Sequence, residues 1–220
     1  MIGAEPRVYP VLKEWQRFIS YLNGWPFIWT LASNYSGRYY HNLSHVMYML
    51  QMLEDMQNTV ELKLTATERW ELECAIWFHD VVYDVKRTDN EERSAQVAAA
   101  FLRNALPSDL ALGAIDRVSC LINGTKSHNS NITYRTHDIL MDLDMAILGD
   151  TYFYPEYRWG VYNEYTDAGF SHKTLVEGRK KFLESILARP RIYLTNFFHD
   201  KLEAQARINI QKELNGYVNE

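Results

Sequence analysis

Apolar residues recur at intervals of three and four along almost the whole chain, the spacing that lines one face of a helix, and strand-like alternation is hard to find. The pattern predicts a helix over about 11–22, stopping at Asn23-Gly24 ahead of Pro26. A second, over about 42–56, sets Val46, Met49, Leu50 and Leu53 in one stripe. A third, over about 67–78, ends in Ala75-Ile76-Trp77-Phe78, which is apolar all round and therefore expected at the centre of the fold. Thr88 and Glu91 have the spacing of a capping box and open a helix that carries Ala95, Ala98 and Leu102 inward and breaks at Pro107. Ser108 opens the next, with Ile115, Val118 and Ile122 on one face and its end at Asn123-Gly124. A polar loop over 126–131 leads to a helix over about 136–148, closed by Gly149. Further helices are expected near 155–165, over about 171–187, and after Asn196. With no internal repeat and no linker-like change of composition, the expectation is one all-α domain, a bundle of about eight or nine helices over residues 1–220.

A hydrophobic fraction of 47% and a charged fraction of 23% belong to a chain that builds a core, not to a disordered one. The net charge of −5 argues against a nucleic-acid polymer or an anionic membrane surface as partner. A small anion is still acceptable, because a bound metal reverses the field locally. The first ten residues lack the basic-then-apolar order of a secretory signal, and no stretch approaches the ~18 uninterrupted apolar residues of a membrane span. Cys74 and Cys120 sit in apolar surroundings and make no disulfide framework, so the reducing cytoplasm is the expected compartment.

Three short segments carry chemistry. In Tyr40-His41-Asn42-Leu43-Ser44-His45 the two imidazoles are four apart and share a helix face. At His79-Asp80 an apolar helix terminates in an imidazole followed by a carboxylate, a costly arrangement unless something compensates it. A lone buried histidine is more often a hydrogen-bonded core residue than a ligand. Two such groups abutting apolar runs in one domain favour a divalent cation instead. Met141-Asp142-Leu143-Asp144-Met145 offers a further ligand: on a helical wheel Asp144 falls about 40° from Leu140, inside the apolar arc, and Asp142 about 200° away. Asp144 is therefore the expected ligand and Asp142 is expected at the surface.

These residues, in this order, resemble the HD-domain metal-dependent phosphohydrolase superfamily, whose pattern is a His, a His-Asp dipeptide at a helix end and a distant Asp converging on a divalent metal in a helical bundle. The resemblance implies His45, His79, Asp80 and Asp144 as metal ligands. Tyr40-His41-Asn42 followed by His45 is also similar to the opening motif of the cyclic-nucleotide phosphodiesterases, which implies that His41 protonates the leaving oxygen. Trp77 to Asp84, Asn90 to Ala95, Asp142-Leu143-Asp144 and Ile147-Leu148-Gly149 are similar to a bacterial family of predicted HD phosphohydrolases, over most of the chain from Tyr40 to Asn209. One departure is Tyr162, where members of that family tend to carry Arg just before the counterpart of Glu164-Tyr165.

Two imidazoles and two carboxylates suit Mn, Fe, Co, Ni, Zn or Mg better than Ca, and with the cation's charge they leave a neutral centre that does not repel phosphate. The expected ligand is a small phosphorylated molecule of the nucleotide kind, and a homodimer through the helical faces is compatible with the pattern. Asp84, four residues past Asp80, has the place of a group that orients water or a ligand imidazole, or of a solvated turn residue. Lys86 and Arg87 offer contacts to phosphate oxygens, though charged loop residues are usually only solvated. Thr125 and His128 are similar to a family element that contacts substrate or a second metal, against the plainer reading of an exposed loop. Glu91 is explained by capping. His137, His172 and His199 need no function, Tyr152, Tyr154, Tyr157 and Trp159 read as helix packing, and Arg179 and Arg207 as surface or inter-helix pairs. Three functions stay open: a phosphohydrolase, a metal-binding nucleotide sensor, and a helical interaction protein with structural histidines.

Overall fold

The computed structural model describes residues 31–57, 63–127 and 134–217, and the helix expected over 11–22 lies outside them. Within them the protein is all-α. The helices are α1 (Leu43–Gln57), α2 (Ala66–Phe78), α3 (Asn90–Ala105), α4 (Ser108–Gly124), α5 (Arg135–Met145), α6 (Tyr154–Asp167), α7 (His172–Leu187) and α8 (Asn196–Gly216), with a 3₁₀ turn at Ala146–Gly149 after α5. Among the described residues no helix is long and apolar enough to cross a membrane.

The apolar run at the end of α2 sits where its composition requires: Cys74, Ala75, Ile76, Trp77 and Phe78 are all fully buried. Around it lie α1, α3, α4 and α5. Two glutamates on this central helix, Glu71 and Glu73, are also buried and are compensated by arginines. Arg117 from α4 meets Glu71 at 2.5 Å, and Arg69 meets Glu73 at 2.5 Å one turn away. A buried carboxylate without such a partner would be strongly destabilising.

Two local expectations are corrected. Thr88 and Glu91 do not form a capping box, since α3 begins at Asn90 with no side-chain bond to its cap. The Asn90 amide instead holds the preceding loop, accepting from the Asp84 N–H at 3.1 Å and donating to its carbonyl at 2.9 Å, and the N-cap is Asp89, one residue later. The capping box forms at Thr65, whose hydroxyl accepts from the Glu68 N–H while the Glu68 carboxylate accepts from Thr65. Asp142 is the second correction, for it is 1% exposed and not at the surface. α5 is enclosed on both sides, its second side covered by the segment leading into α8. The Asp142 carboxylate accepts from the Leu194 and Thr195 N–H groups, each at 2.7 Å, and from the Thr195 hydroxyl at 2.6 Å. Burial pushes this carboxyl up to about 7, against the pull of those donors.

The long C-terminal helix clamps the 3₁₀ turn that follows α5. A Cβ at Gly149 would stand 2.6 Å from Leu202 Cβ and 2.9 Å from the Leu202 carbonyl oxygen, so only glycine allows this approach. Asn209 on α8 donates to the Leu148 carbonyl at 2.9 Å. Arg207 ties α8 to the end of α7 through the Leu187 and Arg189 carbonyls, and Arg179 joins α7 to Glu213 of α8, so both are inter-helix pairs. Asp142→Ala leaves two buried N–H groups without acceptors and is expected to cost about 2–4 kcal/mol in urea unfolding. A midpoint equal to that of the unsubstituted protein would mean the carboxylate does not hold this segment.

Candidate metal centre

Three elements bring four donors together. His45 lies in the first turns of α1, His79 and Asp80 follow the last residue of α2, and Asp144 sits near the end of α5. His45 and His79 are buried, and the side chains of Asp80 and Asp144 are 15% and 16% exposed. His45 Nε2 stands 3.2 Å from His79 Nε2 and 3.0 Å from Asp144 Oδ1, and His79 Nε2 stands 3.1 Å from Asp80 Oδ2. The two crossing distances are longer: 4.0 Å from His45 to Asp80 and 3.8 Å from His79 to Asp144.

These lengths test whether one cation fits. Donors ~2.1 Å from a shared ion stand ~3.0 Å apart at right angles and ~4.2 Å apart when opposite. His45, His79 and Asp80 stand 3.1, 3.2 and 4.0 Å apart, close to those values, and form a group able to hold a metal, with Asp144 3.0 Å from His45 at its edge. The residues fit a divalent ion.

The far sides of both rings are set for the same task. His79 Nδ1 lies 2.9 Å from the Ile76 carbonyl, an acceptor only, so the ring carries a proton there and Nε2 is the nitrogen that faces the cluster. His45 Nδ1 lies 3.0 Å from the Tyr40 hydroxyl. The electrostatics favour positive charge at the centre. Burial alone would push the His79 imidazole down, yet the carboxylates of Asp80 and Asp144 more than offset it and hold it up at about 9. Burial would raise the Asp80 carboxyl, and His79 instead pulls it well below the usual range. Burial lowers His45, against the pull of Asp144.

Beside the cluster stands His41. Its Nδ1 is 2.6 Å from Glu164 Oε2, and its ring stacks on Tyr83 with centroids 3.9 Å apart. The other Glu164 oxygen accepts from the backbone N–H groups of Tyr40 and His41, at 2.7 and 2.9 Å. One buried carboxylate of α6 thus orients both the loop and the ring. The loop reaches it because of Gly160, one turn earlier: a Cβ there would stand 2.9 Å from Tyr40 Cβ. Arg38 straps this loop to the other one. Its guanidinium donates to the carbonyls of His41 at 3.1 Å, Asp80 at 2.5 Å and Val81 at 3.2 Å. A cavity of about 470 Å³ adjoins the cluster, with His41, Tyr83 and Asp144 in its wall.

The other residues singled out from the sequence lie elsewhere. Asp84 is exposed and accepts from the Lys86 N–H at 2.9 Å, so its carboxylate shapes the turn. Arg87 makes a two-pronged pair with Asp89, Lys86 is exposed, and neither lines the cavity. Thr125 is buried and its hydroxyl donates to the Ile122 carbonyl at the end of α4. His128 lies outside the described residues. His137, read as needing no function, is buried at 1% exposure on α5.

Glu164, Arg38 and Gly160 are the residues that sequence reasoning left without a role. Glu164 carried the same signal as Asp144: the buried positions of α6 are Tyr154, Tyr157, Gly160 and Glu164, a charged group inside an otherwise uncharged stripe. Arg38 donates to backbone carbonyls of residues up to 43 positions away and lies over the Tyr35 and Tyr83 rings, pairings no local pattern encodes.

No protein-family profile matches the chain, and no curated protein matches it in sequence.

Gly160→Ala forces the Tyr39–His41 loop off α6 and is expected to cost about 1–3 kcal/mol. The same substitution should move the His41 ring resonances in ¹H–¹⁵N spectra. Unchanged resonances would show that Glu164 reaches His41 without the close approach.

Proposed function

We propose that this protein is a metal-dependent phosphohydrolase of the HD type, acting on a small phosphorylated molecule. The observation that carries the reading is the His45, His79 and Asp80 group, spaced to hold one divalent ion with Asp144 beside it, next to a histidine held by a buried carboxylate. The two parts together answer the two needs of phosphate ester hydrolysis, a strong nucleophile at neutral pH and a proton for the leaving oxygen.

His45, His79, Asp80 and Asp144 would hold the cation, which supplies an acidified water and polarises a phosphoryl oxygen when bound. The two carboxylates balance its charge, so the site does not repel an anionic substrate. His41 is the proton donor to the leaving oxygen through Nε2, since its Nδ1 is engaged with Glu164. Glu164 keeps the ring in that tautomer and stabilises it when charged. Tyr83 beneath the ring fixes its plane. Asp84 and Arg87 are given no role in this reading, since Asp84 accepts from the Lys86 N–H and Arg87 pairs with Asp89, and none of Asp84, Lys86 and Arg87 lines the cavity.

Protein loaded with Mn²⁺ should release inorganic phosphate from at least one member of a panel of phosphomonoesters and phosphoanhydrides. His79→Ala should lose both stoichiometric metal, read by elemental analysis, and turnover. His41→Ala should keep the metal and lose about 10²-fold or more in kcat. No phosphate release across the panel from fully loaded protein would replace hydrolysis with the sensor reading. No bound metal would end both.

Glu164→Gln keeps the size of the side chain and removes the negative charge 2.6 Å from His41 Nδ1. The expected result is a fall in kcat with KM little changed, smaller than the fall in His41→Ala. An unaltered kcat would remove Glu164 from proton transfer.

A further inference from the structure

Past His41 and Asp144 the wall of the cavity turns apolar. Met145, Ile147 and Leu148 come from the end of α5 and the 3₁₀ turn, Val161 from α6, and Leu175 and Val176 from the start of α7. Phe170 and Phe182 add two rings without hydroxyls. At Tyr162, where the similar family tends to carry Arg, the wall receives a ring and no charge.

The charges that line the cavity cancel. Arg158 and Arg179 stand against Glu213 and Asp144, two positive groups and two negative. Asp144 is turned toward His45, and Glu213 meets Arg179 at 2.9 Å and Arg158 at 3.1 Å. Ring hydroxyls of the wall are engaged in the same way. Arg179 donates to the Tyr157 hydroxyl at 2.7 Å, and the Tyr217 hydroxyl donates to Glu213 at 2.9 Å. The Tyr162 hydroxyl is 3.0 Å from His172 Nδ1, and the Tyr40 hydroxyl is 3.0 Å from His45 Nδ1. Arg158 is at the rim, its side chain 42% exposed to solvent. A guest rich in polar atoms would give up water here and meet groups already paired with one another. A hydrocarbon group has no such loss, and it covers apolar wall.

Position decides which part of a substrate reaches this space. His41 and Asp144 line the same cavity, so a phosphoryl group at the cluster with its ester oxygen toward His41 sends the carbon behind that oxygen into it. Resting on the phosphohydrolase reading for the phosphate end, we infer that the substrate is a phosphomonoester of an apolar alcohol, its hydrocarbon group seated against Val161, Leu175 and Val176. The seated group is then hydrocarbon and not the nucleotide-like one expected from the sequence. Water oxygen forms the new P–O bond, the bond to the ester oxygen breaks, and that oxygen leaves with the His41 proton as the free alcohol. The proton lost by the water restores His41. A volume of about 470 Å³ lies in the range of small-molecule sites.

The free alcohol, the product of that reaction, tests the seat without metal or phosphate. 1-Butanol, 1-hexanol and 1-octanol are titrated calorimetrically into the metal-stripped full chain, with adenosine and ribose alongside. Affinity should rise about fourfold for each added CH₂. 1-Octanol should reach a Kd below ~1 mM with a negative heat-capacity change. Adenosine should bind about tenfold more weakly or worse, and ribose should not bind. Gly178 lines the cavity and a Cβ there meets nothing within 4 Å, so Gly178→Leu fills space without a clash and should weaken 1-octanol about fivefold or more. Val176→Asn, at a half-buried position on the same helix, sets an amide in the wall and should weaken it by a similar factor. Affinity independent of chain length, adenosine binding as tightly as 1-octanol, or both variants binding like the unsubstituted chain would each overturn the hydrocarbon seat. None of these probes needs the metal, so that result is separable from failure of the phosphohydrolase reading, which is read by phosphate release and bound metal.

Discussion

Two imidazoles and a carboxylate within 4.0 Å of one another, with Asp144 3.0 Å from one of the rings, are tolerable in the interior only if positive charge sits among them. Much of the surrounding structure serves that constraint. The buried apolar end of α2 presses His79 and Asp80 into place, α1 presents His45, and α5 delivers Asp144 from the far side. The partners behind the ligands, the Ile76 carbonyl and the Tyr40 hydroxyl, fix the outward ring nitrogens so that the inward ones face each other. Such an arrangement is not a by-product of packing, because apolar residues of the same size would pack without the desolvation cost.

The same logic extends outward to a second layer of buried charge. Glu164 gathers two backbone N–H groups and the His41 ring, Asp142 gathers the start of α8, and Glu213 gathers Arg158 and Arg179. Each carboxylate joins segments far apart in the chain. Close backbone approaches at Gly149 and Gly160 let the segments meet. The protein builds a rigid pocket from the inside by placing charges where only fully formed neighbours can satisfy them.

Much of this was legible beforehand. Helix periodicity marks α1 through α8 to within two or three residues, and the all-apolar end of α2 marks it as central. The wheel through α5 picks Asp144 correctly as the carboxylate that joins the two imidazoles. The same wheel misplaces Asp142, because a wheel assumes one solvent face and α5 has none. The Thr88-Glu91 spacing fails for a related reason: a competing interaction, Asn90 on the Asp84 backbone, wins locally. Local patterns weigh one helix or turn at a time and cannot see such competitors.

From residue order alone came the fold class and the central helix, because helical period and the cost of burying polar groups are local properties of a chain. Folding in three dimensions decided which carboxylate orients His41, which arginine straps the loops, and that Lys86 and Arg87 face solvent while a ring-lined cavity opens beside Asp144. Those outcomes depend on pairings between segments up to more than 120 positions apart, such as His41 with Glu164. Distances of that kind are set by how helices pack, and no spacing within a single helix encodes them.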